Sequence, residues 1–215
     1  MLRAFLASRI LHAAIAIMPL AGAALSQPSS PPTEMRRSAE PRVIDTLANI
    51  PSPWRRENWV SSSGSGSCVH AAMVHLLHWQ GQHRVAEAWQ AQHSGGQNFD
   101  DLAQQFDSAQ IRWAGTANGD EAFLAWAVRT RRGAGVAIQV PSICSTCGRD
   151  HGYAGNHMVT LVGMDERHVF VLDSNSPQNI TARDRAEFMA NWHRGINGGW
   201  AISPVYDPPP PRPHL

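Results

Sequence analysis

Three side chains of this sequence combine residue types and spacings that suit nucleophilic chemistry. Cys68 stands where a Gly/Ser-rich stretch meets an apolar-periodic one, in SSSGSGSCVHAAMVHLLHWQG over Ser61–Gly81. Val69, Ala72, Met73, Leu76 and Leu77 recur at helical spacing; Ser67 is the natural N-cap and Gly81 the stop. A thiol in the first turn of a helix faces unpaired N–H groups and the positive end of the helix dipole, which favour the nucleophilic thiolate. His157 opens the β-patterned stretch NHMVTLVGM and Asp173 ends its partner HVFVLD, so a hairpin across Asp165–Arg167 returns both to the same end of two strands. A carboxylate that accepts from one imidazole nitrogen leaves the other free to take a thiol proton. Asn175, two residues further on, is the alternative partner for that imidazole. The plain alternative for Cys68 is a small, buried, inert residue. With eleven histidines in the chain, a single one proves little; His70, His75, His78 and His83 are expected on exposed or half-exposed helix faces, without a chemical role.

The elements that must position these groups change period midway along the chain. After the Cys68 helix, Val85, Ala88 and Trp89 suggest a second helix. Phe99, Leu102, Ala103 and Phe106 suggest a third, capped by Asn98, and Asp120–Arg131 a fourth, with acid at its start and base at its end. Ile111–Ala114 reads as a short strand. Gly135–Val140, His157–Met164 and His168–Asp173 are rich in β-branched residues and read as strands; Thr181–Arg194 reads as a helix and Trp200–Ser203 as a closing strand. Helices followed by an antiparallel sheet give an α+β fold, with the helical N-terminal half packed on the sheet.

Composition narrows the classes. The chain of 215 residues, 43% hydrophobic and 16% charged, suits one soluble domain with extensions. The formal charge of +1 gives no basic footprint for nucleic acid. No lysine is present among the eighteen basic residues, which excludes Schiff-base chemistry and a Walker-type phosphate loop. Residues 1–26 read as an export signal: Arg3 and Arg9 precede an apolar run from Ile10 to Leu25, too short for the roughly 20 residues of a membrane span. The expected location is periplasmic or extracellular, without stable membrane insertion once the signal is removed; an uncleaved signal acting as an anchor is the minor alternative. Residues 27–53 read as a Pro/Ser-rich linker or strap, 54–206 as the domain and 207–215 as a proline-rich tail. Cys144 and Cys147 form a CSTC pair in a Gly-rich segment. In an exported protein they read as a local disulfide that leaves Cys68 as the odd thiol, with zinc ligation together with His151, or free thiols, as the alternatives.

Taken together, the nucleophile-helix stretch SCVHAAMVHLLHWQG and the hairpin NHMVTLVGMDERHVFVLDSN resemble the papain-like cysteine peptidases, and among them the C39-like branch related to peptidases of double-glycine leader peptides. The likeness covers Asn58 to Ser203. It implies a papain-like fold, Cys68 as nucleophile, His157 as general base and then acid, Asp173 as the orienting carboxylate, a peptide or protein substrate and no cofactor or metal. Such peptidases usually carry a glutamine about six residues before the cysteine to stabilise the oxyanion. Ser62 holds that position here, and Asn58 is the nearest carboxamide; either could donate beside the Cys68 N–H. The leading expectation is therefore an exported thiol hydrolase acting through an acyl-enzyme. An acyltransferase with the same triad is one alternative. Another, motivated by Ser62, is a catalytically weak or inactive domain that binds peptides or proteins. Oligomeric state and substrate sequence are not legible.

Overall fold

The structure is a computed structural model that describes residues 48–140, 155–195 and 198–208. The expected export signal, most of the linker, the CSTC pair with His151, and the end of the proline tail lie outside the described residues. The elements run α1 (Cys68–Trp79), α2 (His83–Gln92), α3 (Phe99–Ser108), β1 (Trp113–Thr116), α4 (Glu121–Arg129), β2 (Ala134–Val140), β3 (Gly155–Met164), β4 (His168–Leu172), β5 (Ile180–Asp184), α5 (Arg185–His193) and β6 (Trp200–Pro204). The six strands form one sheet in the order β1-β6-β2-β3-β4-β5, every neighbouring pair antiparallel. This is the α+β arrangement expected, with α1 packed on the sheet.

Period-2 alternation along β2 explains how the sheet buries both faces. Ala137 joins a cluster with Met73, Leu76, Leu77, Phe106 and Trp200 on the α1–α3 side. Val136 and Ile138 join Leu124, Val128, Phe188 and Trp192 on the α4–α5 side. The sheet is thus covered twice, once by the N-terminal helices and once by α4 and α5. Gly135 lets α1 approach closely: a Cβ there would run into Met73 and Met158. Ala48 and Ile50 are fully buried against Trp79, Val162 and Leu172, and the Ala48 N–H donates to the Val162 carbonyl at 2.7 Å.

Three expectations are corrected. First, α1 is not amphipathic: every residue from Val69 to Trp79 is buried, because the helix lies between the sheet and α2. His70, His75 and His78 are therefore interior side chains, and only His83 of the four is exposed. His75 Nε2 accepts the Arg56 N–H at 2.8 Å and its Nδ1 meets Thr160 Oγ1 at 3.0 Å, so it ties α1 to β3 and to the chain entering the helix. His70 Nδ1 accepts from Trp89 Nε1 at 3.2 Å. Burial pushes His70, His75 and His78 each down to about 4. Second, the stretch expected as a helix over Thr181–Arg194 begins as edge strand β5, and α5 starts at Arg185 with Asp184 as its N-cap, accepting the Glu187 N–H at 2.9 Å. The Asp184-x-x-Glu187 spacing of a capping box marks that start; the β-branched Ile180 and Thr181 before it pair with β4. Third, Ser67 occupies the N-cap position of α1 without capping it; its Oγ accepts the Gly95 N–H at 2.8 Å, joining two loops of the cleft. Smaller shifts move the first strand to Trp113–Thr116 and bury Ala86 rather than Ala88 on α2.

Candidate active site

Cys68 is the first residue of α1 and half-buried. Its Sγ accepts the Met158 N–H from β3 at 3.5 Å, and the Val69 N–H also points at it. His157, next to Met158, is 4% exposed and interacts with the thiol. The β3–β4 register, with Thr160 opposite Leu172, sets Asp173 one step beyond the strand and diagonal to His157, within reach of its ring. His157 Nε2 lies 2.8 Å from Asp173 Oδ1, leaving Nδ1 for the sulfur.

These contacts set the ionisation of the group. Burial alone would raise the Cys68 thiol, but hydrogen bonding and charge from His157, with the Met158 and Val69 N–H groups, outweigh it and hold the thiol below its ordinary value. Burial alone would lower His157; its bonds to Asp173 and Cys68 instead lift it to about 9. Asp173 is held below the usual carboxylate range despite burial, because His157, the Asn175 N–H and Arg183 all favour its charged form. Both shifts run in the direction of a thiolate beside an imidazolium.

Two partners of Asp173 complete the site. Asn175 does not face the imidazole; its backbone N–H donates to Asp173 Oδ1 at 2.9 Å. Arg183 Nη2 lies 3.1 Å from Asp173 Oδ2, a contact hidden from sequence by the helical reading of Thr181–Arg194. Recognising the capping box at Asp184 would have exposed β5 and this arginine. Of the two oxyanion candidates, Ser62 is exposed and is not among the cleft-lining residues, whereas Asn58 lines the cleft together with Cys68 and His157. The cleft has a volume of about 780 Å³ and is lined, besides Cys68 and His157, by Asn58, Gly64, Gly66, Gly96, Asn98 and Trp200. Among the described residues no cluster of three His, Cys, Asp or Glu could hold a metal ion.

No family model and no curated protein matches this chain. Solved structures that match include one described as a "putative C39-like peptidase from Bacillus anthracis", 17% identical, aligned over 48% of this chain and 56% of that one, with a TM-score of 0.36. This chain therefore spans little more than half the length of that protein. A likeness of this degree carries no functional weight, and the chemistry rests on the geometry of Cys68, His157 and Asp173.

Proposed function

We propose that the protein is a cysteine-dependent amide hydrolase of the peptidase class, with Cys68 as nucleophile, His157 as proton carrier and Asp173 as the group that orients it. The observation that carries the reading is the continuous path from the half-buried thiol at a helix N-terminus, through His157, to a carboxylate 2.8 Å from the ring, at the edge of a cleft. The thiolate attacks a carbonyl carbon; the C–S bond forms and the carbonyl electron pair moves to oxygen. The Cys68 backbone N–H and one Asn58 Nδ2–H are the donors suited to that oxyanion. His157 gives its proton to the leaving amine as the C–N bond breaks, then takes one from the water that releases the acid from the thioester. Through its hydrogen bond Asp173 stabilises the imidazolium without itself taking the proton. A substrate amine in place of water would make the same group an acyltransferase.

The test is the rate of Cys68 alkylation by chloroacetamide against pH, followed by a screen of peptide and amide substrates. The expected result is rapid labelling near neutral pH that falls sharply in His157→Ala. Slow labelling indifferent to His157 would sink the assignment and favour a binding domain.

A further inference from the structure

A chain of contacts runs from the orienting carboxylate to the oxyanion donor. The backbone N–H of Asn175 holds Asp173 Oδ1 at 2.9 Å, and its side-chain Oδ1 accepts from Asn58 Nδ2 at 3.0 Å. One residue earlier, the Ser174 carbonyl accepts the Asn58 backbone N–H at 2.8 Å. The 173–175 turn therefore grips Asn58 by main chain and side chain while presenting Asp173 to His157. An amide nitrogen has two hydrogens, so the bond to Asn175 leaves one free. Asn58 Oδ1 is buried and has no hydrogen-bond partner among the described residues, so the Asn175 bond is the polar contact that sets the amide's rotation. On its other side Asn58 lies against Gly66, where a Cβ would come 3.0 Å from Nδ2. The glycine two residues before the nucleophile gives the carboxamide its room.

We propose that Asn175 is a positioning residue that fixes the Asn58 carboxamide so that its free N–H faces the cleft, with Gly66 supplying the space. One turn then aligns both the imidazole and the oxyanion donor. This rests on the reading of Cys68 and Asn58 above.

Two reagents acting on the same thiol test it. With p-nitrophenyl acetate, the sulfur adds to the carbonyl and the electron pair moves to oxygen; the oxyanion then collapses to a thioester as p-nitrophenolate leaves. With chloroacetamide, sulfur displaces chloride at a saturated carbon and no oxyanion forms. In the full chain, Asn58→Ala is expected to slow acylation by about a hundredfold. Asn175→Ala and Gly66→Ala should each slow it by about tenfold, the scale of one lost net hydrogen bond. The Asn58→Ala/Asn175→Ala double variant should acylate no more slowly than Asn58→Ala, since Asn175 acts through Asn58. Alkylation should stay at the wild-type rate in Asn175→Ala and Gly66→Ala, which also shows the thiol–imidazole pair intact. Acylation unchanged in Asn175→Ala, losses that multiply in the double variant, or acylation and alkylation falling together would each overturn the inference while fast wild-type alkylation leaves the nucleophile standing. Slow wild-type alkylation at every pH would remove the nucleophile and this inference with it.

Discussion

Asp173→Asn isolates the electrostatic part of the proposed mechanism with the least change of shape. The amide oxygen can still accept from His157 Nε2 and the Asn175 N–H, which share Oδ1. Its NH2 group would face the Arg183 guanidinium, which bonds Oδ2 at 3.1 Å, so a donor meets a donor and a charge loses its partner. His157 stands at about 9 against an ordinary 6.5, and each tenfold step in that preference for the charged ring is about 1.4 kcal/mol. The interaction with Asp173 opposes the burial that would otherwise hold the ring neutral. Losing its charge should therefore reduce the thiolate–imidazolium population by about 10- to 100-fold, somewhat less than the full lift because Cys68 supplies part of it. The assay is chloroacetamide alkylation from pH 4 to 10, with a ring-proton titration of His157 by NMR. The expected outcome is a rate at pH 7 lower by that factor, a thiol limb moved to higher pH and a His157 titration moved down toward neutrality. A variant that folds and keeps both the wild-type pH profile and a His157 titration near 9 would refute the reasoning.

Further outcomes follow from other contacts. Arg183→Met removes the cation that shares Asp173 with His157; the His157 titration should rise, and only slightly, because Arg183 is 35% exposed. His70, His75 and His78 are depressed to about 4 in the folded chain, so the unfolded chain binds more protons below pH 6.5. Their stabilisation is complete above that pH and is lost as pH falls toward 4, a loss that urea unfolding at a series of pH values would reveal. For fully buried His75 alone, the shift from 6.5 to about 4 corresponds to about 3 kcal/mol, and His75→Gln should flatten that part of the profile. His157 has the opposite sign: its contribution is full below pH 6.5 and is lost as pH rises through about 9. Gly135→Ala should cost about 1–3 kcal/mol by overpacking against Met73 and Met158, read as a lower urea midpoint with an unchanged m-value.

Local signals in the sequence carried as far as physics lets them. Asn98 caps α3 as its side chain suggests, Asp120, read as the first residue of the fourth helix, caps it instead, and the β3–β4 hairpin falls where the β-branched stretches and the Asp165–Arg167 turn place it. Thr181–Asp184 reads as helix because an edge strand of five residues is too short for its period to compete with the helical spacing that follows it. The histidines of α1 were misplaced for another reason. A helix covered on all sides shows no polar face, and His70 and His75 become interior residues only once Trp89, Thr160 and the Arg56 backbone supply their hydrogen bonds.

The sequence by itself determined the α+β class, the start of the Cys68 helix and the return of His157 and Asp173 to the same end of a hairpin, because helix period, turn residues and a hairpin's return are properties of neighbouring residues. Only the tertiary structure decided that Cys68 meets the β3 backbone across 90 residues, that Asn58 rather than Ser62 lines the cleft, and that Arg183 and Asn175 complete the setting of Asp173. Those contacts depend on how helix, sheet and loops pack together, and long-range packing leaves no periodic trace in the chain.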